Sequence, residues 1–380
     1  MNEEQSDLTS QGAERKLVRP ALIVSERTVS EYSLLLERLF VGLADESIPA
    51  ALVCPVGCDV DSAISGAVEV MRYPALKLPV LWRQEKKRLI EQLVRFKPTV
   101  LHCLCESKAA LTRQLARQLD LPYVLTVNSL QKRWRHFVYQ KRMHPLSISS
   151  KHCAKIIVPA KSIAANIAEV YPRFAGRIEQ INVGTFVGES SGCFCEVSRL
   201  ASMVTALALD DVDEFEDLFS AVRHLVIDRY EFMFVVIGGG RAERQLRRLL
   251  AALDLLKIVT IVPRLKPWRS VLAAGDIFIQ PVASSAFNPL LLEAMSVGAA
   301  VAGCKGGVDD LIIEDQTAVV FDPDDELSIY GSLQQLFNRR EWARQLARGA
   351  QEYLRENHTV SQMISSTLRT YREAEQWYRR

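Results

Sequence analysis

The sequence contains little glycine, no long apolar run and no excess of either charge. Glycine makes up 18 of the 380 residues, about 5% against a usual ~7%. The apolar runs stay well short of the roughly 18 residues that a bilayer-spanning helix needs. Lys and Arg total 47 against 45 Asp and Glu. These features exclude collagen-like, disordered and membrane-spanning classes, and the length suits about two or three globular domains.

Cysteine is present, but not in a pattern that crosslinks a fold or binds a metal. The chain has eight cysteines, and a chain of this length does not depend on a disulfide framework. The Cys-x-Cys pairs, and His102 beside Cys103, lack the paired Cys-x2-Cys spacing of a zinc site. We therefore expect free, mostly buried thiols and no bound metal.

The first 18 residues predict a loose tail. They begin MNEEQSDLTSQGAERK, which is polar and acidic. A signal peptide would have a basic start and an apolar centre instead. We therefore expect a cytoplasmic protein.

From Pro20 onward, short runs rich in Val and Ile alternate with longer segments of helical period. This alternation is typical of parallel sheets covered by helices, so the sequence predicts an α/β fold. The predicted strands of the first half are 21–24, 51–56, 100–104, 123–127, 156–159 and 178–183. Those of the second half are 203–209, 232–237, 259–262, 277–281, 300–302 and 319–321.

The two alternating halves predict two doubly wound, Rossmann-like domains. We expect the first at residues 19–186, a glycine- and serine-rich linker at 187–202, and the second at 203–358. A last helix at 359–380 is expected to pack back on the first domain. Doubly wound sheets bind ligands beyond the carboxyl ends of their strands, so a cleft between the two domains is the predicted site.

Glycine is concentrated in the second half, where a triple-glycine turn occurs. Eight glycines lie between Gly238 and Gly307, against four in the first 175 residues. Gly238, Gly239 and Gly240 join an apolar strand to the amphipathic segment AERQLRRLLAAL. Such a turn lets backbone amides approach a phosphate at a helix N-terminus. The alternative is that glycine serves only the geometry of the turn.

The second half also carries a series of motifs in a fixed order. Leu292-Glu293-Ala294-Met295 is followed by Gly298, Gly306-Gly307, Asp310 and Phe321-Asp322-Pro323 with Asp325. In order and spacing this series resembles the family-four group of retaining glycosyltransferases, whose architecture of two Rossmann-like domains is called GT-B. With the triple glycine and weaker matches upstream, the resemblance covers roughly residues 100–380.

The resemblance implies a nucleotide-sugar donor on the second domain and a glycan or lipid-linked acceptor on the first, with no cofactor and no metal. Glu293 would hold the ribose hydroxyls, because a carboxylate accepts two hydrogen bonds at once. The plain alternative for Glu293 is an exposed helix residue. Backbone amides would cradle the diphosphate. The implied donor-binding residues are Glu293, Gly238, Gly239, Gly240, Phe287, Asn288, Leu290, Lys305, Gly306 and Gly307.

The chain departs from the family at positions that carry the chemistry. Ser285 and Asn128 occupy the catalytic positions of a sugar-gripping glutamate and a sugar-contacting histidine. The arginine and lysine that neutralise the diphosphate align with Ala208 and Asp213. Losing one such charge-stabilising donor costs about 2.7–4 kcal/mol of barrier. Pro289 has no N–H to offer, and the expected glycine-rich first loop reads SERTVSEYSLLLERL.

Lys305 is the candidate for the missing positive charge. It directly precedes Gly306 and Gly307, and Arg241 or Arg264 would assist it. A lysine ammonium can bind a phosphate as a point charge. The alternative is that these are solvated surface cations.

A basic stretch lies in the first half. No acidic residue occurs between Asp120 and Glu169, and aromatic residues are interleaved with the positive charges. Such a mixture suits an anionic membrane surface, which predicts peripheral contact with the inner face of the membrane. The residues concerned are Lys132, Arg133, Trp134, Arg135, Lys141 and Arg142. A plain solvated face is the alternative, and no nucleic-acid recognition motif accompanies the stretch.

Two functions follow from these observations. The first is a retaining glycosyltransferase that moves a sugar from a nucleotide sugar to a glycan or lipid-linked acceptor, in polysaccharide or glycolipid biosynthesis. The second is a catalytically inactive homologue that binds a nucleotide, a glycan or a partner enzyme. A GT-B epimerase or phosphorylase fits less well, because those enzymes carry other residue constellations.

Overall fold

A computed structural model describes residues 18–60, 68–74, 79–131, 151–189, 192–194, 200–206, 209–262 and 268–379, without the side chains of 79–83 and 268. By its contacts the chain divides into two compact units. One consists of Met1–Thr126, Phe137–Ile156 and Ile364–Arg380, and the other of Val127–His136 and Ile157–Met363. The C-terminal residues therefore belong to the same unit as the N-terminal ones.

A seven-stranded sheet uses the strands of the first half. They are β1 (Pro20–Ile23), β2 (Ala51–Pro55), β3 (Glu69–Tyr73), β4 (Val100–Cys103), β5 (Tyr123–Thr126), β6 (Cys153–Val158) and β7 (Ile178–Gln180). Their order in space is β3-β2-β1-β4-β5-β6-β7, and the neighbours from β3 to β5 pair in parallel. The chain changes direction across the sheet between β1 and β4, which is the switch point of a doubly wound sheet.

Helices connect these strands. They are α1 (Glu26–Glu31), α2 (Ser33–Asp45), α3 (Pro79–Phe96), α4 (Ala109–Leu119) and α5 (Lys161–Val170). Helix α1 begins soon after β1 with a capping box, in which Ser25 and Thr28 each accept a hydrogen bond from the other's backbone N–H. A capped helix therefore stands where the resemblance implies a glycine-rich loop.

A six-stranded sheet uses the strands of the second half. They are β8 (Ala201–Ala206), β9 (Phe232–Ile237), β10 (Val259–Val262), β11 (Ile277–Gln280), β12 (Ala300–Cys304) and β13 (Val319–Phe321). Their order is β10-β9-β8-β11-β12-β13, all pairs are parallel, and the switch point lies between β8 and β11. The helices are α6 (Glu216–Ile227), α7 (Glu243–Ala252), α8 (Trp268–Ala273), α9 (Pro289–Ser296), α10 (Glu326–Asn338), α11 (Arg340–Asn357) and α12 (Val360–Arg379).

Aromatic side chains form the centre of the apolar core beneath the second sheet. The Phe219 ring stacks on Phe215 with 5.9 Å between centroids, and it packs against Phe234 of β9 at 5.8 Å. Leu218 and Val222 are buried in the same core. Leu218, Phe219 and Val222 therefore place one face of α6 against this core.

The structure confirms the predicted α/β fold and all twelve predicted strands, whose ends shift by no more than three residues. Strand β3 was not predicted. It lies at the edge of its sheet, and Glu69 and Arg72 are exposed. Charged residues protect an edge strand from pairing with other chains, but they also hide the apolar pattern that identifies a strand.

The thiol prediction is confirmed for the part of the chain that the structure describes. The seven cysteines in that part are all free and buried: Cys54, Cys58, Cys103, Cys105, Cys153, Cys193 and Cys304. Cys195 lies outside the described residues.

Asp276 connects the start of β11 to the chain segment that precedes β8. Its buried carboxylate accepts hydrogen bonds from the amides of Phe194 at 2.7 Å and Ser202 at 2.8 Å, and from the Ser202 hydroxyl at 3.0 Å. These bonds replace the water that a carboxylate loses on burial.

We expect Asp276→Ala to lower the free energy of unfolding by roughly 3 kcal/mol, because two buried amides lose their acceptor at about 1–3 kcal/mol each. Asp276→Asn keeps one acceptor oxygen and should lose less. Urea denaturation of both variants measures the effect. A loss under about 0.5 kcal/mol for the alanine variant, the size of an ordinary surface change, would contradict this role.

A buried histidine links three elements of the first unit. His102 of β4 contacts the Tyr371 hydroxyl of α12 through Nδ1 and the Thr126 hydroxyl of β5 through Nε2, each at 2.7 Å. Burial lowers the pKa of His102 to about 3, so its ring is neutral at physiological pH. The last helix is thus buried at Tyr371, and the tyrosine hydroxyl also has a partner.

Candidate functional site

The predicted donor site centres on α9, whose N-terminus is capped by its own sequence. Proline is suited to the first helical position because an N–H there has no helical partner to lose, and Pro289 occupies it. The Asn288 side chain accepts hydrogen bonds from the amides of Leu290 at 3.0 Å and Leu291 at 3.3 Å. Amides that would bind a diphosphate therefore already have an acceptor within the protein.

Glu293 lies in α9, with 4% of its side chain exposed. Its Oε2 pairs with the Arg269 guanidinium at 3.1 Å, and its Oε1 accepts a hydrogen bond from the Thr185 hydroxyl at 3.1 Å. Arg269 also donates to the Ser296 hydroxyl at 3.2 Å and to the Phe186 carbonyl. Glu293 is therefore a buried anion in a fixed position, and the alternative of an exposed helix residue is wrong.

The two substituted catalytic positions, Asn128 and Ser285, are brought together by backbone pairing. The amide of Phe287 donates to the Asn128 carbonyl, and the amide of Leu130 donates to the Ser285 carbonyl, each at 2.8 Å. These bonds form a short antiparallel contact between the segment after β5 and the segment before α9. Ser285 is exposed and Asn128 is partly buried, and the backbone contact brings both predicted positions into one region.

The Gly306-Gly307 pair packs against the segment before α9. Gly307 has a φ of +68°, and a Cβ atom at this position would lie 2.1 Å from the Ser284 carbonyl oxygen. Only glycine fits that conformation and that approach. The Gly306 amide donates to the Asp309 carboxylate at 2.9 Å. The loop is therefore shaped by contacts within the protein, including one at an amide of the predicted phosphate cradle.

The triple-glycine turn has a packing reason at Gly240. A Cβ atom there would lie 2.1 Å from the Leu209 carbonyl oxygen, whereas nothing lies within 4 Å of one at Gly239. The Gly238 amide donates to the Val262 carbonyl at 3.0 Å. Close approach of the chain after β8 therefore accounts for Gly240, and Gly239 faces open space.

The candidate cations are engaged locally. The exposed Lys305 donates from Nζ to the Ile312 carbonyl, and Arg241 donates from Nε to the Asp210 carbonyl at 3.1 Å. Arg264 lies outside the described residues. Both described cations thus keep a charge at the surface beside the glycine motifs.

The loop after β8 is acidic where the resemblance implies an arginine and a lysine. Asp210, Asp211, Asp213 and Glu214 follow one another closely, and Asp213 is exposed. Burial, then the charges of Asp211 and Asp210, raise the pKa of Glu214. A loop of this charge repels a diphosphate. Ala208, the other aligned position, lies outside the described residues.

Two family models match the chain in consecutive parts. Residues 36–185 match the one described as Glycosyltransferase Family 4, and residues 200–339 match the one described as Glycosyl transferases group 1. The chain belongs to the family-four glycosyltransferases. The predicted family is thereby confirmed.

Solved glycosyltransferase structures share the fold. The chain superposes on sucrose-phosphate synthase from Thermosynechococcus elongatus with a TM-score of 0.75 and 16% identity, covering 94% of this chain and 98% of that one. For Anabaena HepE in complex with UDP-glucose the TM-score is 0.76 at 13% identity, covering 93% and 99%. With the two parallel sheets described above, these similarities establish the predicted GT-B fold.

A curated relative is the sulfoquinovosyl transferase SQD2 of Arabidopsis thaliana. It is 23% identical over 296 residues, which are 70% of this chain and 55% of that protein. The chain thus spans about half the length of the curated relative that it matches.

In this family-four glycosyltransferase, the acid of the Gly306-Gly307 motif caps a helix. Asp310 Oδ1 accepts hydrogen bonds from the amides of Lys161 at 2.6 Å and Ser162 at 3.3 Å, and Oδ2 accepts one from the Ser162 hydroxyl. These residues begin α5, whose own N-cap, Ala160, has no side-chain acceptor. A carboxylate there satisfies open N–H groups and interacts favourably with the helix dipole.

Asp310→Ala is expected to lower the free energy of unfolding by about 1–2 kcal/mol, the usual effect of removing an N-cap. Asp310→Asn keeps an acceptor without the charge and should lose less than half as much. Thermal and urea denaturation of the two variants provide the comparison. Equal stability of the alanine variant and the wild type would show that α5 does not depend on this cap.

The two partners of Glu293 carry no signal in the sequence. Arg269 lies 24 positions before Glu293, and Thr185 lies 108 positions before it. Neither residue belongs to one of the sequence motifs described above. The cap of α9 was recognisable, because Asn followed by Pro is a favoured start of a helix. Its consequence, occupation of the predicted phosphate-binding amides, follows from that motif.

The remaining predictions concern membrane contact, metal binding and membrane-spanning helices. The proposed membrane-contact residues all lie in 132–150, outside the described residues. Among the residues that are described, no group of three or more His, Cys, Asp or Glu is arranged to hold a metal ion. None of the described helices combines the length and apolar character needed to cross a bilayer.

Proposed function

We propose that the protein transfers a sugar from a nucleotide-sugar donor to a glycan or lipid-linked acceptor, with retention of configuration. The observation that carries the proposal is the fixed carboxylate of Glu293 in α9. This residue is at the family position that holds the donor ribose, and Arg269 and Thr185 set its orientation. A carboxylate can accept two hydrogen bonds at once, and these two contacts fix the orientation in which Glu293 would meet the ribose hydroxyls.

The relatives support a nucleotide-sugar donor. HepE has been solved with UDP-glucose, and SQD2 is named for transfer of sulfoquinovose. The glycine motifs around Gly239 and Gly306 follow the parallel strands β9 and β12, so both lie at the carboxyl edge of the second sheet. We propose that the donor lies there, with Ser285 and Asn128 facing the transferred sugar.

A second candidate is an inactive homologue that binds a nucleotide, a glycan or a partner enzyme. Specific observations favour it: the Asn288 side chain occupies the amides of Leu290 and Leu291, and Asp213 stands where a cation is expected. Phosphoryl leaving groups depend on such donors and cations for stabilisation. A protein with these features can retain nucleoside binding through Glu293 while losing transfer.

Incubation with a panel of UDP- and GDP-sugars separates the two candidates. Release of nucleotide together with an acceptor product of retained anomeric configuration, read by NMR, supports the transferase. A thermal shift with nucleotides but no release selects the inactive homologue. Neither a shift nor release would contradict both.

A titration of UDP or GDP tests the phosphate contacts. Lys305→Ala should weaken binding roughly tenfold if its ammonium reaches the diphosphate, since a charge-assisted hydrogen bond contributes about 1.5–3 kcal/mol. Asn288→Gly should strengthen binding, because it exposes the two amides at the start of α9. Affinity unchanged in both variants would mean that the diphosphate does not contact this cradle.

We propose further that the basic stretch from Lys132 to Arg142 brings the protein to anionic membranes. The support is its sequence alone: the stretch carries five positive charges, and no acidic residue occurs between Asp120 and Glu169. Co-sedimentation with anionic liposomes at low and high salt is the test. Pelleting that does not depend on salt or lipid charge would contradict it, because the attraction is electrostatic.

A further inference from the structure

A group of sulfur and hydroxyl side chains lies at the switch point of the first sheet. Cys103 ends β4, and Cys105 follows two residues later, while Ser25 and Thr28 come soon after β1. The two strands are hydrogen-bonded neighbours, with Ile23 opposite Cys103. We call this group the thiol cluster: Ser25, Thr28, Cys103, Cys105 and Ser107.

The sulfur of Cys105 is the shared acceptor of the thiol cluster. The Ser107 hydroxyl lies 3.5 Å from it, and the hydroxyls of Ser25 and Thr28, 2.8 Å from each other, also contact it. Hydrogen bonds from Cys103 first, and then from Ser107, Thr28 and Ser25, lower the pKa of Cys105 to about 5 against the opposing effect of burial. The lowered pKa favours the thiolate of Cys105, which is the nucleophilic form of cysteine.

Cys103 is placed beside Cys105. Side chains two positions apart in an extended chain point to the same side, and Cys105 has extended angles, φ −156° and ψ 146°. The Cys103 sulfur lies 3.0 Å from the Cys105 carbonyl oxygen. Two extended residues separate the Cα atoms by about 6.6–7 Å, close to the upper limit for a disulfide. A bond between them would be strained and readily reduced.

We propose that the thiol cluster is a peroxide-sensitive modification site, with Cys105 as the attacking thiolate and Cys103 as the resolving thiol. First, the Cys105 sulfur attacks an oxygen of hydrogen peroxide, the O–O bond breaks, and Cys105 becomes a sulfenic acid as hydroxide leaves. Then the Cys103 sulfur attacks the Cys105 sulfur, the S–O bond breaks, and the thiol proton of Cys103 leaves with the hydroxyl group as water. The two sulfurs lose two electrons, and peroxide gains them.

The order of the two steps follows from the charge of Cys105. Burial raises the pKa of Cys103, and the hydrogen bond to Cys105 and the charge of Cys105 raise it further. A sulfenic acid is neutral, so the charge contribution disappears once Cys105 is oxidised. Cys103 thus remains a thiol until the first step has occurred and ionises more readily after it.

Other buried cysteines lack these donors. Burial raises the pKa of Cys54 to about 11 and that of Cys304 to about 11. Both remain thiols at neutral pH and react slowly with peroxide. They provide matched controls within the same chain.

Oxidation acts on the start of α1. Ser25 and Thr28 form the capping box of that helix, and their hydroxyls also contact the Cys105 sulfur. A disulfide replaces the anionic acceptor of these hydroxyls with a neutral sulfur. The segment that stands in place of a glycine-rich first loop therefore has a different polar environment in the oxidised protein.

The test treats the reduced full chain with hydrogen peroxide, counts thiols by alkylation after denaturation and locates crosslinks by peptide mass spectrometry. The wild type should lose two of its eight thiols and yield a Cys103–Cys105 crosslink that dithiothreitol reverses. Cys54→Ser should form the same crosslink, and Cys105→Ser should form none. Cys103→Ser should instead accumulate a sulfenic acid at Cys105 that dimedone traps.

A second measurement needs no variant. Alkylation of the native wild type by iodoacetamide, followed at each cysteine, should slow less than ~2-fold at Cys105 between about pH 7.5 and about pH 6, whereas a thiol with the ordinary pKa of about 8.5 slows ~30-fold. The proposal is overturned if the wild type retains all its thiols under excess peroxide. It is equally overturned if Cys105→Ser loses two thiols as the wild type does, or if Cys105 slows with pH like an ordinary thiol.

Discussion

Replacing Arg269 by alanine is expected to lower the free energy of unfolding by ~3 kcal/mol. The change leaves the Glu293 carboxylate without the guanidinium that lies 3.1 Å from it, and only 4% of the glutamate side chain is exposed. Removing one member of a buried ion pair costs about 3–5 kcal/mol. The 31% exposure of Arg269 lets water reach the site and places the loss at the lower end. Urea denaturation measures it.

Arg247→Ala is the matched control. Arg247 also pairs with a glutamate, Glu243, at 2.9 Å, but their side chains are 52% and 40% exposed. Exposed pairs contribute about 0–1 kcal/mol. Adding Glu293→Gln to Arg269→Ala should recover part of the loss, because an amide costs less to bury than a carboxylate. A loss for Arg269→Ala no larger than that for Arg247→Ala would contradict the buried ion pair.

Acid is expected to destabilise the protein through His102. The pKa of this ring falls from 6.5 to about 3 on burial, so between these values the unfolded chain binds a proton that the folded chain does not. Stability therefore falls as pH falls through that window, by about 1.4 kcal/mol for each pH unit, and this contribution is constant above it. His358, whose pKa burial also lowers, acts in the same direction.

His102→Gln separates this contribution from those of other groups. Glutamine is neutral at every pH, so the variant should be less stable near neutral pH but should lose about 1.4 kcal/mol less per pH unit between about pH 6 and about pH 4. Denaturant titrations at several pH values give both slopes. Parallel slopes for the variant and the wild type would show that His102 takes up its proton in the folded state.

The fold could be predicted from the sequence because its signals are local. Parallel strands buried on both faces, such as β1 and β2, are continuous apolar runs, and the sequence shows them directly. Strand β3 could not be identified in this way, because its Glu69 and Arg72 face solvent at the edge of the sheet and interrupt the apolar run. The capping box at Ser25 and Thr28 is also local, and the spacing Ser-x-x-Thr contains part of its signal.

The candidate site could be predicted only in part. The position of Glu293 follows from a motif, but its burial depends on Arg269 and Thr185, which the fold brings from distant parts of the chain. The same holds for Asp310, which caps a helix that begins 149 positions earlier. Motifs identify which residues lie at a site, whereas the contacts that occupy them depend on the tertiary fold.

The substitutions in the sequence and the contacts in the structure both affect the proposed phosphate-binding groups. The proposed donor side keeps Glu293 and its glycine motifs, whereas Asp213 and the Asn288 cap stand where the family resemblance implies contacts that neutralise a diphosphate. Donor recognition in this chain should therefore depend on Glu293 more than on phosphate contacts. The Glu293 carboxylate is thus the group on which donor affinity should depend most.

The affinity of the wild type and of Glu293→Gln for nucleotide sugars measures this dependence directly. Calorimetric titration with UDP- and GDP-sugars, on proteins shown to be folded, should detect binding of at least one donor to the wild type. The affinity for that donor should be at least tenfold weaker in the variant, because a charge-assisted hydrogen bond contributes about 1.5–3 kcal/mol. Glu341→Gln, which makes the same change at an exposed glutamate of α11, should retain the wild-type affinity. Equal affinity of Glu293→Gln and the wild type would show that donor recognition does not depend on this carboxylate.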